Sequence, residues 1–327
     1  MSGAAADAAV PGRPAEPPQS PPADPHADAG PCWLTGRIAL VTGGGLSGPA
    51  GGVGYAISRL FARHGARVAV IDRDAAAAGI TVSEIREAGG DAVAVIADVS
   101  READCERAVA ETAQRFGGVD TLVNNVASGD RATLFDASPQ RWDELISVNL
   151  STAWLMTRSA LPLMRGGSAV LNVSSVAVAT RGPGTVYGVA KAGIENFTKG
   201  AASLLGPRGI RVNCIQLGEI WTAMAARGLP PEARLRRRQA VALQAEGTCW
   251  DAAYAALFLA SDRARWISGH ILTVDGGGPY RPGGPAADPV GLSAADPVSL
   301  SAADPVGSPA ADPAGLPAAG LAGPQLR

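Results

Sequence analysis

A tyrosine and a lysine, Tyr187 and Lys191, stand four residues apart in a chain that has few residues of either type. The sequence contains four tyrosines, and only two of its 28 cationic side chains, Lys191 and Lys199, are lysines. Residues at positions i and i+4 share one face of a helix. A phenol normally keeps its proton to about pH 10, and a neighbouring ammonium lowers that pKa. The pair could therefore exchange a proton with an alcohol or ketone, although an ordinary helix face shows the same spacing.

Short aliphatic strands that alternate with amphipathic helices must position this pair. The predicted strands are Ile38–Thr42, Arg67–Ile71, Ala92–Ile96, Val119–Val123, Ala169–Ser174, Arg211–Ile215 and Ile271–Val274. Apolar residues at helical spacing predict a helix from Val53 to Phe61. Further helices are predicted over Ala75–Ala88, Arg101–Phe116, Pro139–Met164, Val186–Leu205 and Thr248–Ala260. This alternation predicts an α/β fold with a doubly wound parallel sheet, whose ligands bind beyond the carboxyl ends of the strands.

The two ends of the chain differ in composition from this core. Residues 1–32 are rich in Ala and Pro, and residues 280–327 carry an eight-residue repeat with a proline in each copy. Because proline removes a backbone donor and interrupts helices and strands, both ends are predicted to be disordered tails. Residues 33–279 are then expected to form one domain with a single core.

Composition argues against several classes of protein. A net charge of −2 gives no indication of nucleic-acid binding. No apolar run approaches the roughly 20 residues that a membrane-spanning helix needs. The four cysteines and three histidines are scattered, without the spacing of a metal site or a disulfide framework. We therefore expect a reduced, soluble, cytoplasmic protein that uses no metal.

The glycine-rich segment Thr42–Gly54 follows the first strand and opens a helix. Glycines let a backbone approach a pyrophosphate, and free N–H groups at a helix start attract its charge. The second strand ends at Asp72, whose carboxylate suits the hydroxyls of an adenosine ribose and would repel a 2′-phosphate. NAD is therefore favoured over NADP, although Arg73 could soften the preference. Asp98, after the third strand, is a candidate for the adenine edge or a plain helix N-cap with Ser100.

The order of these motifs resembles the short-chain dehydrogenase/reductase family over about 34–278. The resemblance rests on the glycine loop, Asp72, Asp98-Val99, Asn124-Asn125 and the Y-x3-K pair. It implies a Rossmann domain that binds NAD(P) and a catalytic tetrad of Asn149, Ser175, Tyr187 and Lys191. Ser174 stays an alternative to Ser175, because loop length does not decide between the two.

The resemblance also implies a role for each residue. Tyr187 would be the general acid/base, and Lys191 would lower its pKa and hold the nicotinamide ribose. Ser175 would hydrogen-bond the substrate oxygen, and Asn149 would position a water molecule. Cofactor contacts are implied for Thr42, Gly43, Gly52, Val53, Gly54, Asp72, Asp98, Val99, Asn125, Tyr187, Lys191, Gly218, Ile220 and Thr222.

Three departures from the family pattern concern the cofactor site. Eight residues separate Gly43 from Gly52, more than in the usual glycine loop. The usual N-N-A-G reads 124–127 Asn-Asn-Val-Ala here, and the usual P-G after the sixth strand reads 217–218 Leu-Gly. None of these changes removes a group that the chemistry needs.

The segment Glu219–Glu246 is predicted to form a lid over the substrate. It contains Trp221, Met224 and a basic cluster. The members of this cluster are Arg234, Arg236, Arg237 and Arg238. The cluster is either a solvated helix face or an attractor for an anionic substrate.

Together these features indicate an NAD-dependent oxidoreductase that interconverts a secondary alcohol and a ketone, in a bacterial specialised or catabolic pathway. Two alternatives remain: a carrier-linked 3-oxoacyl reductase that uses NADPH, and a non-catalytic cofactor-binding regulator. Enoyl thioester reduction is disfavoured, because relatives with that activity resemble a Y-x6-K pattern that this chain lacks. The resemblance also implies a homotetramer or dimer that pairs through Pro139–Met164 and Val186–Leu205.

Overall fold

The structure, a computed structural model, describes residues 32–129, 133–179, 184–227 and 229–278. Its strands are β1 (Ile38–Thr42), β2 (Arg67–Asp72), β3 (Asp91–Ile96), β4 (Thr121–Asn124), β5 (Ala169–Ser175), β6 (Arg211–Leu217), β7 (Ile220–Trp221), β8 (Gly247–Thr248) and β9 (Ile271–Val274). Its α-helices are α1 (Val53–Arg63), α2 (Ala75–Glu87), α3 (Glu102–Phe116), α4 (Pro139–Ile146), α5 (Thr152–Ala160), α6 (Val186–Leu205), α7 (Ala223–Ala226), α8 (Pro231–Gln239) and α9 (Cys249–Ala260).

Seven of the strands form one parallel sheet in the order β3-β2-β1-β4-β5-β6-β9. The remaining two, β7 and β8, pair with each other. From β1 the strand order runs to one side of the sheet through β2 and β3, and to the other side from β4 onwards. This switch point between β1 and β4 opens a ligand crevice beyond the carboxyl ends of the two strands. This is the doubly wound Rossmann architecture, and the predicted fold class is confirmed. The predicted tails lie outside the described residues, apart from Cys32.

Helices cover both faces of the sheet because successive strand residues point to opposite sides. On β1, Ala39 and Val41 join a core formed with α1, α2 and α9. Ile38 and Leu40 join a second core formed with α3, α5 and α6. Full burial of one large aliphatic side chain stabilises a fold by about 1.5–3 kcal/mol, so these two layers hold the crevice rigid.

The helix predicted over Pro139–Met164 is interrupted. It divides into α4, a π-helical segment at Ser147–Ser151, α5 and a short 3-10 turn at Leu161–Leu163. Pro162 explains the final turn, since proline cannot continue the helical hydrogen bonds. Thr248, the first residue of the helix predicted over Thr248–Ala260, lies outside α9, because it is the N-cap and bonds reciprocally with Asp251.

Arg211, at the start of β6, is buried and caps the end of α9. Its guanidinium donates to the carbonyls of Leu259 (2.6 Å), Ala260 (3.2 Å) and Ser261 (3.2 Å). The last carbonyls of a helix have no partners within the helix, and a cation at that end is favoured by the helix dipole.

Replacing Arg211 with methionine is expected to lower the free energy of unfolding by about 2–4 kcal/mol, because three carbonyls lose a buried charged donor. Urea denaturation followed by circular dichroism measures this change. Arg115→Met is the control: the Arg115 side chain is 51% exposed and pairs with Asp91 at the surface. That variant should lose no more than about 1 kcal/mol. Equal losses in the two variants would contradict the capping role.

Candidate active site

The glycine loop approaches the start of α1 so closely that a side chain has no room. A Cβ atom built on Gly54 would lie 2.2 Å from the Gly43 carbonyl oxygen and 2.5 Å from Asn125 Nδ2. Gly43 itself has a φ of +63°, in the left-handed region that favours glycine. Gly52 is the N-cap of α1 and has no side chain to occupy the first N–H groups of the helix. This is the backbone cradle that a pyrophosphate requires.

Thr42 and Asn125 support this loop from β1 and β4. The Thr42 hydroxyl donates to the Val123 carbonyl (3.1 Å) and accepts from the Asn125 N–H (3.0 Å). The Asn125 amide donates to the carbonyls of Thr42 (3.0 Å) and Gly43 (3.2 Å). These bonds show that both side chains shape the loop. The cofactor contacts that the family resemblance implies for the two residues stay a prediction.

The additional residues of the loop reach the predicted lid. The Gly51 N–H donates to the Gly48 carbonyl (2.9 Å), which closes a tight turn. The carbonyl of Gly51 accepts from the N–H of Ala223 (2.9 Å), the first residue of α7. The lengthened loop therefore connects the phosphate end of the crevice to the lid.

Asp72 packs directly on the glycine loop. One carboxylate oxygen accepts from the Gly45 N–H (3.0 Å), and the other accepts from the Asp74 N–H (3.1 Å). A Cβ atom on Gly45 would lie 2.8 Å from the first of these oxygens. The carboxylate thus lies beside the cradle, as its position at the end of β2 predicted, and Arg73 is exposed.

Asp98 makes a local turn before α3. It accepts from the hydroxyl (2.7 Å) and the N–H (3.1 Å) of Ser100, and the hydroxyl bond is the main cause that lowers the pKa of Asp98. The N-cap of α3 is Arg101, so the N-cap alternative for Asp98 is wrong by three positions. The side chain of Val99 is buried in the core, so a cofactor contact there would have to use its backbone.

Ser175 and Tyr187 meet at the carboxyl end of β5. Tyr187 stands in the first turn of α6, and the Ser175 hydroxyl lies near enough to its phenol to lower the pKa of that phenol. Ser174 points the other way: it is buried and donates to Glu195 Oε1 (2.8 Å). Successive strand residues face opposite sides, so only Ser175 can face the crevice.

The effect of Lys191 on the tyrosine differs from the prediction. Burial raises the pKa of Tyr187, and the bond to Ser175 offsets this only in part. The Lys191 ammonium lies 5.6 Å from the centre of the phenol ring and donates to the Val173 carbonyl (2.9 Å). Because the ammonium is directed at a backbone oxygen and not at the phenol oxygen, desolvation is the largest influence on the pKa of Tyr187 and raises it.

Lys191 is 2% exposed, and burial lowers its pKa to about 8. An unfolded lysine titrates near 10.4, so between the two pKa values the unfolded chain binds more protons and stability rises with pH. Below pH 8 the folded protein bears the full cost of a buried charge.

Lys191→Met should therefore raise the free energy of unfolding at pH 7 by about 1–3 kcal/mol, net of the lost bond to Val173. Between pH 8 and 10 the free energy of unfolding should rise less in the variant than in the unaltered protein, because the variant lacks the titrating amine of Lys191. Thermal denaturation of both proteins across this pH range measures the difference. A less stable variant at pH 7 would contradict the assigned cost of burial.

Asn149 lies in the π-helical segment and holds the loop that follows β4. Its amide donates to the carbonyls of Ser128 (3.0 Å) and Leu145 (3.0 Å), and its oxygen accepts from the Ser128 N–H (3.0 Å). Both N–H donors of the Asn149 amide are used in these bonds, and the water-positioning role that the family resemblance implies stays a prediction. Sequence reasoning missed Ser128, because no motif marks the position to which Asn149 bonds.

Gly218, Ile220 and Thr222 lie at the carboxyl end of β6, beside the end of β5. A Cβ atom on Gly218 would lie 2.3 Å from Asp275 Cβ, so glycine is required here too. Ile220 is buried, and the Thr222 hydroxyl accepts from the Ala225 N–H (3.2 Å) as the N-cap of α7. The three residues therefore border the crevice, and Thr222 leads directly into Ala223, which bonds to the glycine loop.

Ion pairs within the predicted lid neutralise two of its arginines. Arg234 lies 3.7 Å above the Trp221 ring and pairs with Glu246 at 2.8 Å. Arg237 pairs with Glu219. Arg236 and Arg238 are exposed. The structure therefore favours the interpretation that this cluster is a solvated helix face. Two of its arginines attach α8 to neighbouring residues, and the other two face solvent.

Met224 extends from α7 towards the loop after β4. A Cβ atom on Gly129 would lie 3.6 Å from the Met224 sulfur. The two loops that border the crevice therefore meet through an apolar contact.

The three buried thiols are not candidates for nucleophiles. Burial raises the pKa of Cys105 and Cys249 to about 11 and that of Cys214 to about 12, which keeps them protonated at neutral pH. No group of three or more metal-binding side chains occurs in the described ranges. Among the helices described, none is long and apolar enough to cross a membrane.

A Rossmann sheet with a glycine cradle and a serine–tyrosine–lysine cluster along one edge defines a dinucleotide-dependent oxidoreductase. Residues 48–278 match a family profile described as enoyl-(acyl carrier protein) reductase. The chain is 34% identical over 247 residues to 2,5-dichloro-2,5-cyclohexadiene-1,4-diol dehydrogenase of Sphingobium indicum, covering 75% of this chain and 96% of that one. It is also 34% identical over 248 residues to 3-oxoacyl-(acyl-carrier-protein) reductase of Chlamydia muridarum, covering 75% and 98%.

Solved structures agree with these sequence matches. A short-chain dehydrogenase/reductase from Burkholderia xenovorans superposes with a TM-score of 0.71 at 36% identity, covering 75% of this chain and 97% of that one. A short-chain dehydrogenase from Burkholderia cenocepacia in complex with NADP gives a TM-score of 0.68 at 31% identity, covering 75% and 98%. The chain belongs to the short-chain dehydrogenase/reductase family, and it is an oxidoreductase that acts on CH–OH groups.

Proposed function

We propose that the protein is an NAD-dependent dehydrogenase that interconverts a secondary alcohol and a ketone. The observation that carries this proposal is the approach of the Tyr187 phenol to the Ser175 hydroxyl at the edge of the sheet that also holds the glycine cradle. The start of α1 fits the pyrophosphate of a dinucleotide, since its N-cap is Gly52 and no side chain occupies the first N–H groups of the helix. The chain thus offers both a cofactor site and a proton-exchanging phenol.

The residues of the site divide the chemistry between them. Bound NAD supplies the hydride acceptor for alcohol oxidation and, when reduced, the hydride donor for ketone reduction. Tyr187 exchanges the proton of the substrate oxygen, and Ser175 hydrogen-bonds the same oxygen. Lys191 holds the nicotinamide ribose, and Asn149 keeps the loop at Ser128 in place.

Asp72 supports the choice of NAD over NADP. Its carboxylate lies against the glycine loop, where it can accept from ribose hydroxyls and repel a 2′-phosphate. The related Burkholderia cenocepacia structure contains NADP, so this preference needs a direct test.

Fluorescence titration with NADH and NADPH is expected to show at least about tenfold tighter binding of NADH, or 1.4 kcal/mol. Asp72→Ser should remove most of that difference, because it removes the repelling charge. Asp74→Ser is the matched control: Asp74 caps α2 through its side chain, and serine keeps the cap. Preference for NADPH in the unaltered protein would overturn the assignment of Asp72.

Cyclic secondary alcohols are the first substrates to test, because one relative is named for a cyclohexadienediol. The Chlamydia relative supports a second candidate, a carrier-linked 3-oxoacyl reductase that uses NADPH. Arg234 is paired with Glu246 and Arg237 with Glu219. These ion pairs reduce the positive charge of the basic patch that such a carrier would contact. Enoyl reduction, the description of the family profile, does not suit a Y-x3-K chain. Turnover of a cyclic alcohol would also exclude a purely regulatory protein.

We further propose self-association through α4–α5 and α6, as the family resemblance implies. Trp154 on α5 is 49% exposed and Val189 on α6 is 42% exposed, which leaves apolar surface for a second copy. Light scattering in solution measures the assembly. We also propose that residues 33–279 form the folded unit between two tails, and that the protein is located in the cytoplasm.

A further inference from the structure

Glu195, one helical turn after Lys191 on α6, binds two strands of the sheet at once. Its Oε1 accepts from the Ser174 hydroxyl (2.8 Å) and from Gln216 Nε2 (2.7 Å). An ionised carboxylate only accepts hydrogen bonds, and such charge-assisted bonds are stronger than neutral ones. The two donors and this acceptor are therefore well matched.

The donors belong to one row of polar side chains that crosses three strands. Ser174 on β5 is the register partner of Gln216 on β6, and Gln216 is the partner of Thr273 on β9. The Thr273 hydroxyl donates to Gln216 Oε1 (3.1 Å). Side chains that are paired in register lie on one face of a sheet, so the whole row faces α6 and Glu195 closes it.

This row is linked directly to the cluster at the crevice. The Ser174 hydroxyl also contacts the backbone carbonyl of Lys191 (3.3 Å), and Lys191 Nζ donates to Val173, the residue before Ser174. Ser175 follows Ser174 on the strand and faces the opposite side. A shift of α6 along β5 would therefore change the separation of Ser175 and Tyr187.

We propose that Glu195 is a positioning residue: by holding Ser174 and Gln216 it fixes α6 on β5 and β6, and so keeps Tyr187 and Lys191 in register with Ser175. This inference rests on the proposed function, because it assigns Glu195 to the same reaction. Glu195 touches neither substrate nor cofactor in this role, and it acts through the geometry of the residues that do.

Glu195→Ala should lower kcat about 10- to 100-fold, the usual cost of a displacement of about 1 Å in a catalytic group. The assay is oxidation of the cyclic alcohol that the unaltered protein turns over fastest. The dissociation constant of NADH should stay within about twofold, because the loss belongs to the chemical step. Glu195→Gln keeps the accepting oxygen and should restore kcat to within about threefold of the unaltered protein.

Asn196→Ala, an exposed neighbour on the same helix, is the matched control and should leave kcat unchanged. An unchanged kcat in Glu195→Ala, or equal losses in Glu195→Ala and Glu195→Gln, would overturn the inference. If Glu195→Ala does not fold, Ser174→Ala replaces it and should show the same loss of kcat with unchanged NADH binding. A Ser174→Ala variant that turns over normally would then overturn the inference.

Tyr187→Phe is measured in the same assay to separate this inference from the proposed function. A normal rate in Tyr187→Phe would refute the proposed function. Loss of rate in Tyr187→Phe with a normal rate in Glu195→Ala would refute only the positioning role.

Discussion

Replacing Tyr187 with phenylalanine is expected to lower kcat by about 10²–10⁴-fold, the range that general acid–base catalysis contributes. The variant keeps the ring in the first turn of α6 and loses only the hydroxyl that meets Ser175. NADH binding should therefore be unchanged. Steady-state rates with a cyclic alcohol, together with an NADH titration, measure both quantities.

Tyr254→Phe is the control for this variant. Tyr254 lies on α9 and its hydroxyl accepts from Arg63 (2.8 Å), away from the crevice, so its loss should leave kcat unchanged. Turnover by Tyr187→Phe at the unaltered rate would exclude the phenol as acid or base, whatever the control shows.

The pH dependence of oxidation supplies a second check on Tyr187. Burial raises the pKa of its phenol and the bond from Ser175 lowers it, so the phenolate that accepts the alcohol proton forms at alkaline pH. The rate of oxidation should rise with pH, and Ser175→Ala should move that rise to higher pH. A rise that moves to lower pH would contradict the contact between these two residues.

Gly54→Ala is the substitution expected to harm cofactor binding most. The new Cβ atom would lie 2.2 Å from the Gly43 carbonyl oxygen and 2.5 Å from Asn125 Nδ2, two atoms that are hydrogen-bonded to each other. Overpacking of this kind costs about 1–3 kcal/mol of stability. Because relief of the clash displaces the loop from its binding geometry, the dissociation constant of NADH should rise roughly 10- to 100-fold. The NADH titration and a thermal melt measure the two consequences.

Gly79→Ala is the matched control, because Gly79 lies inside α2 and nothing stands within 4 Å of its added Cβ atom. That variant should be more stable by about 0.5–1 kcal/mol, since alanine favours a helix over glycine, and its NADH binding should not change. Normal NADH binding by Gly54→Ala would mean that the cradle is not the cofactor site.

Much of the fold was predictable because the signals are local. β1, β9 and α6 begin and end at the predicted residues, since runs of aliphatic residues and helical periodicity do not depend on distant partners. The sheet class followed from the alternation of these elements, and Asp72 lies beside the glycine loop because carboxyl ends of parallel strands share one edge. By contrast, the π-helical segment at Ser147–Ser151 was not predictable from a continuous helical pattern.

By itself, then, the amino-acid sequence determined the elements, their order and the chemical types available at one edge of the sheet. Only the tertiary structure decided the partners: Ser175 rather than Ser174 faces Tyr187, and Lys191 points at a carbonyl. It also decided that Glu195 binds two strands, a role that no motif indicates. Hydrogen bonds between residues far apart in sequence, and the desolvation of buried charges, depend on how the elements pack, and no local pattern contains that information.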